Sequence, residues 1–230
     1  MPIDAIIFDK DGTLFDFANT WGGFGRSMLL RLSNGEEDRA TELGRVIGYD
    51  FEQGKYTEDS IVIAATVEEI AEVLIAHVDG VILQEIIDLM NSEAASAPQV
   101  PAVPLVPFLE GLQNAGIKLG VATNDSEHPA LQHLESVGVR GHFDFVAGYD
   151  SGHGFKPGPG QLLAFAAHIG VEPSRIAMVG DSLHDLQAGR AAGMTTIGVL
   201  TGLAEADALA PMADVILPDI GHIPEWLTKI

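Results

Sequence analysis

Two aspartates, Asp9 and Asp11, stand two residues apart in the stretch IDAIIFDKDGTLFD, residues 3–16. Carboxylates this close repel each other unless a shared proton or a cation compensates. A hard cation with oxygen ligands does so most simply, and magnesium is the first candidate. The structural alternative is a solvated turn built on the Asp11-Gly12 signal. A calcium loop also begins D-x-D, but it needs glycine at its sixth position and glutamate at its twelfth. This chain has Leu14 and Thr20 there, which excludes that loop.

Three more short stretches carry reactive side chains. Thr123-Asn124-Asp125 offers a hydroxyl and an amide to an oxyanion, although the same residue types cap helices. GYDSGHGFKPGPG, residues 148–160, is a glycine-rich loop around Lys156, and a lysine in a loop is ordinarily solvated. Gly180-Asp181-Ser182 is followed by Asp185. Ser182 to Asp185 fits a capping box, S-x-x-D, a complete structural explanation for Asp185. Asp181 has no such explanation and is available to a metal. The eight histidines show no metal-ligand spacing, so surface or packing roles are expected, with His153 and His184 near the candidate site.

These residues need elements to position them. Ile6-Ile7-Phe8 is a continuous apolar run that ends at Asp9, as a buried strand of a parallel sheet does. Further strands are expected at 119–123, 143–147, 176–179, 195–199 and 215–217, alternating with helices near 108–115, 127–137, 162–169 and 183–192. Alternation of this kind predicts an α/β fold, a doubly wound parallel sheet with helices on both faces. Ligands of such sheets gather at the carboxyl ends of the strands, where Asp9, Thr123 and Asp181 fall.

Between the first strand and the second lie about a hundred residues, far more than an ordinary connection. Helices are expected at 18–33 and 36–47, from Val67 to Val78, and at 81–93. GYDFEQGKYT, starting at Gly48, superficially suggests a phosphate-binding loop. Its spacing between glycines is one residue too long and Tyr56 replaces the required Ser or Thr, so a plain loop is expected. Pro98, Pro101, Pro104 and Pro107 recur every third residue, the repeat of a stiff polyproline II connector. Residues 17–106 therefore read as an inserted helical domain with a proline-rich linker, and 1–16 plus 107–230 as the α/β core.

The chain has 230 residues, 47% of them hydrophobic, enough for a large core. It has no cysteine, which excludes disulfides and thiolate metal sites. Neither a leader segment nor an apolar stretch of membrane-spanning length is apparent, so a soluble cytoplasmic protein is expected. The net charge of −21 argues against nucleic acid and anionic membranes as partners. Arg26, Arg31, Arg39, Arg45 and Lys55 cluster in the helical segment. Helix-surface charge accounts for most of them, leaving one or two to face an anionic substrate.

FDKDGTL, VATND, KPGP and GDSLHDLQAG occur in this order, each at an expected strand end or in the loop after it. Together they resemble the four motifs of the haloacid dehalogenase superfamily, and within it the phosphoglycolate phosphatases and their relatives. The resemblance covers 1–16 and 107–220, and the helical insert is similar in position to the cap of such enzymes. It implies a Rossmann-like core and a magnesium-dependent phosphatase of small phosphorylated metabolites. Carried over position by position, Asp9 is the nucleophile and Asp11 the acid and base. Thr123 and Lys156 hold the phosphoryl oxygens, with the Gly12 and Asn124 amides nearby. Asp9, the Asp11 carbonyl and Asp181 bind magnesium, with Asp185 beside them. Lys10 stands where close relatives often carry an apolar residue, and no role transfers to it.

The chemistry agrees with the resemblance, because an aspartyl-phosphate divides a very slow hydrolysis into two easier steps. Two rival readings share the fold. A phosphomutase returns the phosphoryl group to the sugar, and a binding module retains the site without turnover. The sequence leaves the substrate and the oligomeric state open.

Overall fold

The structure, a computed structural model, describes residues 2–57, 59–63 and 65–229, with the backbone alone at 18 and 19. In chain order the elements begin with β1 (Ala5–Phe8), α1 (Phe17–Leu32), α2 (Glu37–Ile47), β2 (Tyr49–Asp50), β3 (Lys55–Tyr56), α3 (Val67–Ile75) and α4 (Leu83–Ala95). There follow α5 (Leu105–Asn114), β4 (Lys118–Ala122), α6 (Glu127–Ser136), β5 (Phe145–Ala147), α7 (Gly160–Ile169) and β6 (Ile176–Gly180). The chain closes with α8 (Leu183–Ala192), β7 (Thr195–Val199), α9 (Ala206–Leu209), β8 (Val215–Leu217) and α10 (Ile223–Leu227).

Six strands form one sheet in the order β5-β4-β1-β6-β7-β8, every neighbouring pair parallel. The α/β, doubly wound fold expected from the strand–helix alternation is the fold observed. Strand β1 is central, with Phe8 level with Val121 of β4 on one side and Val179 of β6 on the other. From β1 the chain order runs outward in both directions, so the carboxyl end of β1 is the switch point where such sheets open a crevice.

Alternation along β1 explains its burial on both faces. Ile6 and Phe8 join a core with Leu105 and Leu109 of α5, Leu134 of α6 and Ile223 of α10. Ala5 and Ile7 face the opposite way, onto Leu162 and Phe165 of α7 and Ala188 of α8.

Helices α1 to α4 have an apolar cluster of their own, which includes Trp21, Met28, Leu43, Ile70, Leu74, Ile86 and Met90. Thr66 and Glu69 close a capping box that starts α3. That helix stops at Ile75 rather than Val78, although Val78 still packs against the cluster.

The 48–57 stretch is a small antiparallel hairpin, β2 with β3, and not a plain loop. Aromatic packing explains the difference: the rings of Tyr49 and Tyr56 lie 4.9 Å apart, and the Tyr49 hydroxyl donates to the Gly22 carbonyl at 2.6 Å. A second difference concerns the connector, because α5 begins at Leu105 and absorbs Pro107 into its first turn. Proline is tolerated there, since its missing N–H would have no intrahelical partner.

The two chain segments that link the helical part to the sheet lie side by side. Asp16 N donates to Val100 O at 2.8 Å and Ala102 N donates to Leu14 O at 2.9 Å, with Phe15 bridged to Pro101.

Candidate active site

The residues singled out at the strand ends converge on one chamber at the carboxyl end of β1. Asp9, Asp11, Thr123, Asn124, Lys156, Asp181 and Asp185 all line it. Asp9 continues β1 directly, and its backbone N–H still donates to Val179 O at 2.8 Å, which fixes the residue at the carboxyl end of the central strand.

Lys156 is not a solvated loop lysine. It is 3% exposed, and its ammonium donates to Asp9 Oδ1 at 2.5 Å and to Asp185 Oδ1 at 2.7 Å. Burial opposes its charge, but the two aspartates outweigh burial and raise its pKa above the ordinary value. Asn124 anchors the loop that carries it: Asn124 Nδ2 donates to Lys156 O and Lys156 N donates to Asn124 Oδ1, each at 2.9 Å. The Asn124 amide therefore holds the lysine's backbone, and Thr123 Oγ1 accepts from Asp125 N at 3.1 Å.

Asp185 has more than the capping role that its spacing suggested. Its Oδ2 accepts from Ser182 N at 3.0 Å, as a capping box requires, while Oδ1 is taken by Lys156. Oxygen atoms of Asp9, Asp181 and Asp185 lie within 4.8 Å of one another, and all three residues are buried. Burial pushes Asp9 up to about 7 against the pull of Lys156, with the charges of Asp185 and Asp11 adding to the rise. Asp181 is pushed well above the carboxylate range by burial and by Asp9 and Asp185. Buried carboxylates so placed fit a hard divalent cation, which removes the cost of ionising them.

Two glycines make room for Asp181. Gly12 has φ +80°, and a side chain there would come within 2.4 Å of Asp181 Oδ2. At Gly202 the same carboxylate oxygen would be only 1.7 Å from an added Cβ. A residue with any side chain at either place would force the carboxylate aside.

Asp11 turns away from that trio toward Lys10, which no sequence argument assigned a role. Lys10 is fully buried, and its ammonium meets Asp11 Oδ2 at 2.5 Å, Asp125 Oδ2 at 3.0 Å and His133 Nδ1 at 3.1 Å. It also sits 5.2 Å from the Trp21 ring centre. Burial works against the charge of Lys10, but Asp11 and Asp125 prevail and its pKa is raised.

Burial lifts Asp11 to about 6 against the pull of Lys10, whereas Lys10 and His133 overcome burial and hold Asp125 below the usual range. The two carboxylates share one ammonium and therefore titrate as a pair. The other oxygen, Asp11 Oδ1, is buried without a hydrogen-bond partner among the described residues. The Trp21 indole N–H leans toward Asp11 but falls short of a full hydrogen bond.

His133 belongs to this second cluster and not to the surface. It is 1% exposed, burial and Lys10 depress its pKa to about 4, and Nε2 donates to Ala94 O at 2.6 Å. A neutral ring then accepts from Lys10 at Nδ1. Of the two histidines near the motifs, His184 lines the chamber, and His153 packs on Phe145 instead. The signal that could have found Lys10 was its position: a lysine just after a buried strand needs partners, and it has them in Asp11 and in Asp125, which follows the neighbouring strand β4.

Opposite the strand ends the chamber wall comes from the helical segment. Phe17, Trp21 and Phe24 of α1, Val67 and Ile70 of α3 and Met90 of α4 face it. The cavity measures about 60 Å³, room for a few waters at roughly 10–15 Å³ each.

Known proteins carry the same plan. The phosphoglycolate phosphatase of Salmonella typhimurium is 29% identical over 234 residues, covering 95% of this chain and 93% of that protein. A Bacteroides fragilis structure, provisionally assigned as a haloacid dehalogenase-like hydrolase, has a TM-score of 0.74 at 23% identity. It matches 96% of this chain and 99% of its own. A Thermotoga maritima structure provisionally assigned as a beta-phosphoglucomutase reaches 0.68 at 21% identity, matching 99% of this chain and 100% of its own. The family profile described as haloacid dehalogenase-like hydrolase matches residues 3–193, and the chain belongs to that family of hydrolases.

Proposed function

We propose that the protein is a magnesium-dependent phosphatase that hydrolyses small phosphate monoesters through an aspartyl-phosphate on Asp9. The observation that carries the reading is the convergence of Asp9, Asp181, Asp185 and the Lys156 ammonium on one buried chamber. Asp9, Asp181 and the Asp11 carbonyl, with Asp185 beside them, would hold magnesium, which would supply positive charge to the phosphoryl oxygens.

In the first step a carboxylate oxygen of Asp9 bonds to phosphorus and the bond from phosphorus to the ester oxygen breaks. Asp11 gives its proton to the departing alkoxide from Oδ1, the oxygen that Lys10 leaves free. In the second step Asp11 takes a proton from water as the water oxygen bonds to phosphorus. The bond to Asp9 breaks, and inorganic phosphate leaves. Lys156 and Thr123 hold the phosphoryl oxygens, with the backbone amides of Gly12 and Asn124 near them, so the group is positioned and its charge is spread. A carboxyl raised to about 6 is suited to giving and taking a proton near neutrality.

Residues 17–106, with their own apolar cluster, act as a cap that excludes water and selects the leaving group. Access for a substrate requires this unit to swing away, with the paired segments at Asp16–Val100 and Leu14–Ala102 as the hinge.

Phosphate release from a panel of small esters, with and without magnesium, tests the reading. Metal-dependent release from at least one ester is expected, and no release from any would refute it. The mutase alternative predicts a rearranged sugar phosphate instead of free phosphate. A sugar would need several hydrogen-bonding groups on the cap wall, and among the described side chains there the Trp21 indole N–H is the one such group.

A further inference from the structure

We infer that the leaving group taken by this site is an uncharged apolar alcohol, alkyl or aryl, and that esters carrying a second anion are rejected. The inference rests on the phosphatase reading and names the substrate class within it.

Among the described residues the cap side of the chamber presents carbon, apart from the Trp21 indole N–H, which has no full hydrogen bond. Phe17, Trp21 and Phe24 fall on one face of α1, and the Trp21 and Phe24 rings meet edge to face at 4.8 Å. Ile70 and Met90 extend the same surface, the latter an adaptable side chain that follows the shape of what it touches. The polar residues lining the chamber stand at the strand-end side, where the phosphoryl group binds.

Charge points the same way. Among the charged residues lining the chamber, five are aspartates (Asp9, Asp11, Asp125, Asp181, Asp185) and one is a lysine, Lys156. Lys156 is already held by Asp9 and Asp185, on the phosphoryl side. Lys10 lies beneath, held by Asp11 and Asp125.

The basic residues of the helical segment, which could have met a carboxylate, are placed elsewhere. Arg26 pairs with Glu37, Arg31 with Glu93 and Arg39 with Glu42. Arg45 lines a separate groove beside α2, and Lys55 lines another hollow near the hairpin. A carboxylate on the leaving group would thus be buried against aromatic rings with no lysine or arginine among the described residues left to pair it, His184 being the remaining basic side chain on the lining. Hydroxyls of a sugar would lose their water partners on the same wall.

The test uses the full chain with magnesium and two matched pairs of esters. One pair is 4-methylphenyl phosphate against 4-carboxyphenyl phosphate, the other ethyl phosphate against phosphoglycolate. The carboxyphenol is the better leaving group, so intrinsic reactivity favours the ester expected to lose. Within each pair the uncharged member should have the higher kcat/KM, by on the order of a hundredfold or more, the penalty of burying an unpaired charge. Equal or higher kcat/KM for the carboxylated member of either pair would overturn the inference while leaving the phosphatase reading intact. Silence on all four esters would overturn the inference if another ester of the panel is hydrolysed, and silence on the whole panel would bring down the phosphatase reading as well.

Discussion

Lys156 Nζ and Asp9 Oδ1 lie 2.5 Å apart although 147 residues separate them in the chain. The same ammonium reaches Asp185, so one buried lysine ties the loop after β5 to the end of β1 and the first turn of α8. In the proposed reaction a phosphoryl group arriving at Asp9 would meet a positive charge already in place, with no reorganisation needed to bring it there.

Replacing that charge while keeping the bulk should therefore strike turnover directly. Lys156→Met is expected to lower kcat by roughly a hundred- to a thousandfold, comparable to removing one preorganised donor. Steady-state kinetics with a saturating aryl phosphate measures it. Normal turnover in the variant would leave the lysine a structural role only.

Metal and pH should act on stability together. Asp9 moves from an ordinary 3.8 to about 7 in the metal-free fold, chiefly through burial. A carboxylate with a raised pKa binds its proton more tightly when folded. Metal-free stability should then fall as pH rises from about 4 to about 7 and stay low above that. Magnesium needs the ionised carboxylates and should recover most of the loss above pH 7. Thermal unfolding in chelator and in magnesium, at pH 5 and pH 8, should show the larger metal-induced rise in Tm at pH 8. An equal rise at both would contradict the assignment.

Lys10 is expected to matter as half of a buried charge cluster. Lys10→Met leaves Asp11 and Asp125 facing each other without their ammonium. The cost should be about 3–5 kcal/mol of unfolding free energy, as for other broken buried pairs. Adding Asp125→Asn removes one of the two stranded charges and should restore more than half of that loss. Urea unfolding of the wild type, the single variant and the double variant decides. A single variant as stable as the wild type would mean that the cluster holds nothing together.

How far all this was legible depends on the range of each interaction. Asp9, Asp11 and Asp181 could be read because strand ends of a parallel sheet are visible locally, as apolar runs that stop at acids. The bounds of α8, β7 and β8 match the expected ones because Ser182, Gly193 and the short β-rich runs punctuate the chain. Lys156 was legible as a site residue only through the motif resemblance, since both its partners come from elsewhere in the chain. Lys10 and His133 went unread as a pair because they are 123 residues apart, although the place of Lys10 just after a buried strand was a local signal. Asp185 was read from its local spacing as a capping residue and from the resemblance as a neighbour of the metal site; its capping box is real and uses only one of its oxygens. Helices α9 and α10, at four and five residues, are too short to show a period.

The central claim is that Asp9 carries the phosphoryl group and Asp11 moves the proton, and Asp11→Asn separates the two. The variant keeps Asp125 on Lys10 at 3.0 Å, so the cluster beneath the site retains one of its ion pairs. An aryl phosphate, whose leaving group needs little protonation, should still transfer its phosphoryl group to Asp9. Water attack should then stall for want of a base, at a loss of roughly a hundred- to ten-thousandfold. Rapid mixing of Asp11→Asn with 4-nitrophenyl phosphate and magnesium, followed by acid quench and peptide mass spectrometry, is the direct measurement. The account predicts a burst of about one nitrophenolate per enzyme and phosphate on the peptide containing Asp9. No burst and no adduct, with Asp9→Asn keeping even a tenth of wild-type activity, would contradict it.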